Sequence, residues 1–198
     1  MCLTSLFDLF DKLGLSVFQT LKQLGYQLDF IISTWEEHPV HEGILQLKNI
    51  QIEYESLTQS KDKMTTLAKQ FEFYSDEVKP VNTLCMWYKW QRLALLLDTK
   101  KNSEWVLKIR PDILLPPDSI SSLVKTISNF DEKNLAIPAG GDHKEGMNDM
   151  IAFGIQDKVK AYLNIFSYIP NYYQKSLFFH PEWMLRHSHP IAHRKNGQ

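Results

Sequence analysis

Two cysteines, Cys2 and Cys85, are all that the 198 residues contain. They are too few and too isolated for a disulfide framework or a zinc site, and they suit a reducing compartment, so a cytoplasmic location is expected. No run of about 18 apolar residues occurs, so no transmembrane helix is expected. The first residues lack the basic start and small-residue cleavage site of a signal peptide. An excess of one charge is missing too: 22 Lys and Arg oppose 23 Asp and Glu, for a formal net charge of -1. Without a cationic surplus to displace counterions, nucleic acid is not expected as the main partner. Internal repeats and low-complexity tracts are also absent.

Aromatic residues are plentiful, with 5 Trp, 8 Tyr and 11 Phe. Most such rings fill cores, and some line pockets for flat or sugar-like ligands. The overall balance, 43% hydrophobic and 23% charged, is that of an ordinary globular domain. The expected organisation is one domain over residues 1–187 and a polar tail over 188–198. His187 at the domain's end and His189 and His193 of the tail read as part of a solvated end rather than a metal site. The aromatic C-terminal half leaves open a peripheral membrane contact or a contact with a second copy.

The chain alternates apolar runs with helical periods, which predicts an α/β fold. Leu6 to Leu24 carries a helical spacing interrupted near Gly14 and stopped by Gly25, although Met1 to Ser5 also reads as a strand remnant followed by a loop. Leu28–Thr34 is a buried strand. Lys48–Glu55 alternates through Ile50, Ile52 and Tyr54, a strand with one wet face near a sheet edge. Leu57 to Lys79 is polar and reads as a loop with a weak helix from about Met64 to Tyr74. Asn82–Leu97 is the strongest helix, crowded with Leu84, Trp87 and Tyr88 and largely buried. Its Lys89 and Arg92 are expected to lay their stems on apolar surface and reach solvent, or to point at a phosphate. Pro116–Asn129 forms a helix with Ile120, Leu123, Val124 and Ile127 inward, Leu135–Pro138 a short strand, Met150–Phe153 another. Asp157–Phe166 and the stretch from Pro181 form the last helices.

Chemistry concentrates where strands end. Trp105–Ile109 is a buried strand broken by Arg110-Pro111-Asp112, because proline cannot donate to the ladder. Arg110 offers a planar donor fork suited to phosphate or carboxylate. Asp112 suits a hydroxyl or a cation. A surface turn closed by a salt bridge is the competing reading. Ala139–Asp149 gathers Gly140, Gly141, His143, Asn148 and Asp149, without the Gly-Lys-Ser/Thr ending of a P-loop. Asp149 stands where a carboxylate can meet an acceptor hydroxyl. Alternatively, Asn148 and Asp149 only close a turn through their side chains. Thr34 and Trp35 end a strand as a pocket wall or as a capped loop.

Phe30-Ile-Ile-Ser-Thr-Trp35, Asn82 with Trp87-Tyr88-Lys89, Trp105 to Asp112, Asn148-Asp149-Met-Ile-Ala-Phe-Gly154 and Phe179-His180-Pro-Glu182 follow in one order. Together, over roughly residues 28–187, the chain resembles small GT-A-like glycosyltransferases of capsule and lipopolysaccharide clusters, found in bacteria and some large viruses. The resemblance implies a single Rossmann-like domain with a mostly parallel central sheet flanked by helices. It implies a nucleotide-diphospho-sugar donor and a glycan or lipid-linked acceptor. The Arg-Pro-Asp segment falls where that family places its acidic metal motif, so Asp112 would hold Mn²⁺ or Mg²⁺, or a sugar hydroxyl near the diphosphate, although one acid of the usual pair is here Arg110. Arg110 would offset charge on the leaving diphosphate, with Lys89 assisting. Asp149 would be the general base of an inverting transfer or a substrate clamp in a retaining one. Thr34 and Trp35 would border the nucleotide, and Asn148, His143 and His180 would contact substrate. The alternative expectation is a non-catalytic glycan- or partner-binding module on the same scaffold.

Overall fold

The computed structural model describes residues 17–38, 40, 42–70, 79–100, 105–110, 117–138, 148–174 and 181–188. Helix α1 (residues 17–23) ends as its sequence predicts. Gly25 takes φ +88°, and Tyr26 and Gly25 donate their amides back to Leu21 and Lys22 at 3.1 and 3.0 Å, a Schellman closure. Strands β1 (Phe30–Trp35) and β2 (Ile50–Glu55) pair in parallel, with the short helix α2 (Glu42–Leu45) between them in sequence. Then come α3 (Leu57–Gln70), α4 (Pro80–Leu97), β3 (Trp105–Ile109), α5 (Pro117–Ser128), β4 (Leu135–Ala136) and β5 (Ile151–Ile155). The chain closes with α6 (Gln156–Leu163), a 3-10 turn (Asn164–Tyr168), α7 (Ile169–Gln174) and α8 (Pro181–Ser188).

The α/β class holds, but the mostly parallel sheet does not. Among the described strands, parallel pairing is confined to β1–β2, and β5 lies antiparallel to both neighbours in the order β3-β5-β4. The physical reason is the connection. A parallel neighbour needs a crossover along the whole sheet, whereas β5 begins at the end at which β4 stops.

Both sheets divide their side chains by the period of two. Val106, Ala152, Ile31 and Trp35 face the main core, built around α4 with Leu84, Trp87 and Trp90 and completed by Val159, Tyr162, Leu163, Met184 and Leu185. On the opposite faces, Leu107, Ile109 and Ile151 pack on Val17 and Leu21 of α1 and on the inward row of α5. Ile32, Ile50 and Ile52 pack on Val40, Ile44 and Phe18. Trp87 is wholly buried; an indole of that size contributes several kcal/mol of transfer free energy, roughly 3–5 by the cost of truncation.

Helix α3 departs from expectation. It starts at Leu57, not near Met64. The start is fixed by a residue no local window contains: Glu37, past the end of β1, accepts the amides of Leu57 and Thr58 at 2.8 and 3.2 Å, and Ser56 Oγ accepts the amide of Gln59. Two orphan donors of the first turn are thus satisfied across the fold. Those amide bonds, the Leu57 bond first, lower the Glu37 carboxyl from 4.5 to about 2. A folded value below the unfolded one stabilises the fold while the group is ionised in both states. This contribution is complete above the unfolded value and is lost as pH falls from about 4.5 toward 2. Denaturant midpoints measured over that window should fall with acidification, and Glu37→Gln should flatten the dependence. An unchanged slope in the variant would show that another carboxyl is responsible.

Candidate functional site

Helix α4 acts as a ruler for the two sheets. Along its length and just past its end, Lys89 meets Glu55, Arg92 meets Glu53 and Thr99 meets Gln51, so it runs antiparallel to β2. On its other side Trp90 lies at Lys108, while the carbonyl of Leu97 accepts from Gln156 Nε2, next to the Trp105–Ile155 pair. Strand β3 therefore also runs antiparallel to α4. The carboxyl ends of β1, β2 and β3 point the same way, which is where open α/β sheets place ligands.

Two polar clusters sit at that end. The first is built on β3 and β5. The ladder continues one step beyond β3, with the amide of Arg110 donating to the carbonyl of Met150 at 3.1 Å. Antiparallel pairing then sets Arg110 diagonally opposite Asp149, and Nη1 of Arg110 donates to both carboxylate oxygens at 3.1 and 3.0 Å. The Asp149 side chain is 10% exposed and that of Arg110 33%, so the acid forms the floor and the guanidinium the rim. Asn148 is buried; its Oδ1 accepts the amide of Met150 at 2.8 Å and its carbonyl accepts the hydroxyl of Tyr162 at 2.9 Å. Burial first, and then the charge of Asp149, hold the Tyr162 phenol well above its ordinary value, so it stays a donor.

Beneath Asp149 lies Lys108, buried on the inner face of β3. Its Nζ donates to the carbonyls of Asp149 and, at 3.3 Å, Met150, and stands 4.2 Å over the ring of Trp90. Taking an ammonium out of water costs several kcal/mol. Hydrogen bonds to the charge, about 1.5–3 kcal/mol each, and a desolvated cation–π contact of about 2 kcal/mol offset that cost. Trp90 in turn stacks on Tyr162 with centroids 5.4 Å apart.

The second cluster lies between β1–β2 and α4. Glu55 accepts from Tyr88 Oη at 2.7 Å and Lys89 Nζ at 2.8 Å, and Lys89 also stands 4.1 Å over the Trp35 ring. Arg92 grips Glu53, which also accepts from Ser33 at 3.2 Å. Burial pushes the Glu55 carboxyl up, but the Lys89 and Tyr88 hydrogen bonds outweigh it and leave the group below its ordinary value. Burial and the bond to Glu55 push the Tyr88 phenol up to about 12.

The residues expected from sequence thus fall into three groups. Arg110, Asp149 and Asn148 come together, with Asn148 in the turn-closing role. Trp35 and Lys89 meet in the second cluster, where Lys89 is buried on Glu55 instead of reaching solvent. Thr34, beside them in β1, closes the following turn by donating to the carbonyl of His38 at 3.1 Å. Asp112, His143 and His180 lie outside the described residues, as does most of the polar tail. Lys108 and Glu55 escaped the sequence reading. The signal for Lys108 was present: it shares the inner face of an apolar strand with Val106. Among the described residues, no three His, Cys, Asp or Glu side chains gather as a cation site. Comparison of the chain with protein-family models, with curated proteins and with solved structures gives no match.

Proposed function

We propose that the protein is a glycosyltransferase that moves a sugar from a nucleotide-diphospho-sugar to a hydroxyl of a glycan or similar acceptor. The observation that carries this reading is the meeting of Arg110 and Asp149, far apart in sequence, at 3.0 Å where β3 ends. A guanidinium on the rim and a carboxylate on the floor match the two charges that such a transfer must manage.

In the proposed reaction the bond between the anomeric carbon and the diphosphate oxygen breaks, and the acceptor oxygen bonds to that carbon. Arg110 offsets the negative charge growing on the departing diphosphate, a task for fixed donors in a site with little water. Asp149 takes the acceptor proton in an inverting transfer or clamps the substrate in a retaining one. Thr34 and Trp35 border the nucleotide. Asp112, which lies outside the described residues, would hold the divalent cation, Mn²⁺ or Mg²⁺.

A second reading, a glycan- or partner-binding module without turnover, is favoured by one feature: the guanidinium is already engaged by Asp149. Donor hydrolysis separates the two, since only a transferase consumes donor without acceptor. The direct test of the first reading is calorimetry with uridine, guanosine, cytidine and adenosine diphosphates, with and without Mn²⁺. Binding is expected for at least one, with an apparent stabilisation of about 2.7 kcal/mol at a hundredfold excess over Kd. Failure with all of them in both conditions would remove the donor site.

A further inference from the structure

We propose that Lys108 and Tyr162 are positioning residues for Asp149, a two-sided clamp on the backbone at the start of β5 that keeps the carboxylate under Arg110. The assignment to catalysis rests on the transferase reading above; the clamp itself does not. Three successive carbonyls are held by side chains from the core: Asn148 by the Tyr162 hydroxyl, Asp149 and Met150 by the Lys108 ammonium. Both donors are anchored in turn. Tyr162 is wholly buried and stacked on Trp90, and Lys108 stands over that same ring. The carbonyl of Met150 also accepts the Arg110 amide, so the clamp reaches both partners of the ion pair.

The chemistry explains why a lysine is used. A neutral hydrophobic side chain at 108 would fill the space between Val106 and the rings, but would leave buried carbonyls without those donors. An ammonium, with three donors, satisfies two of them at once. Asp149 keeps its place when Arg110 turns toward a diphosphate, because its backbone is tied from below.

The test uses the full chain with Lys108→Met, which retains a long unbranched stem without charge, and Tyr162→Phe, which removes only the hydroxyl. Amide hydrogen exchange reads the clamp without any ligand. In each variant the amides of Arg110 and Met150 should exchange about tenfold faster, as befits loss of a buried bond to a strong donor, while those of α3 change by less than about twofold. Titration with inorganic pyrophosphate reads the link to function: Lys108→Met should weaken binding about tenfold, and adding it to Arg110→Ala should weaken binding little further, because the two act through one unit. Unchanged exchange at Arg110 and Met150 in both variants would overturn the clamp. Faster exchange with undiminished pyrophosphate binding would overturn its role at the site. If the wild-type chain binds neither pyrophosphate nor a nucleoside diphosphate, the transferase reading falls, and the exchange result still decides the clamp.

Discussion

Replacing Arg110 by alanine is expected to lower donor turnover by ~10²-fold or more, the scale lost when a fixed donor is withdrawn from charge developing in a transition state. The same loss is expected for Asp112→Asn, on the role assigned to it from the sequence. For Arg110 the structure adds a stability effect that must be separated from the rate effect. Its removal leaves a carboxylate that is 10% exposed without the Nη1 hydrogen bonds, costing about 1–3 kcal/mol. Rates should therefore be measured well below the variant's unfolding temperature. Arg110→Lys is informative beside it, because it keeps the charge but loses the planar fork. Rates within about twofold of wild type for Arg110→Ala in a folded protein would reject the residue's assignment.

Among the polar contacts, the largest expected change in stability is at Glu55. This carboxylate, 24% exposed, is the shared acceptor for Tyr88 and Lys89, and Arg92 Nε lies 3.8 Å away. Glu55→Ala strands the Lys89 ammonium, 8% exposed, and leaves it its attraction to the Trp35 ring. Removing one partner of a buried pair typically costs 3–5 kcal/mol, and partial exposure of Glu55 brings the expected loss to about 2–3 kcal/mol. Lys89→Met is expected to cost less, roughly 1 kcal/mol, because Glu55 keeps Tyr88 and the nearby Arg92 and the methionine stem still packs. Adding Lys89→Met to Glu55→Ala should recover part of the loss. Equal losses in the two single variants, by urea unfolding, would mean that the ion pair is not what holds this side of α4.

These energetics also show where the sequence was readable. Helix α4, the β3 run and the inward row of α5 are each specified by residues close in sequence, and their periods survive folding. The meeting of Arg110 with Asp149 was legible only as two separate strand ends; the antiparallel return of β5, which no local pattern encodes, joins them. The α3 start was hidden because its cap, Glu37, comes from the end of another strand. The wet face assigned to β2 shows a different failure. Alternation correctly put Glu53 and Glu55 on one face, but that face turns inward, toward the cations of α4, while Tyr54 on the other side is exposed. Period-two patterning reports which residues share a face, not whether the polar face stays wet when charges are available to pair.

Lys89 and Trp90 are neighbours in sequence, one turned to Trp35 and Glu55, the other to Lys108 and Tyr162. A rigid helix cannot shift one of them and spare the next. A ligand that settled against the tips of the parallel pair and shifted this helix would also disturb the floor under Asp149, so the two polar clusters are geared together at a single peptide link.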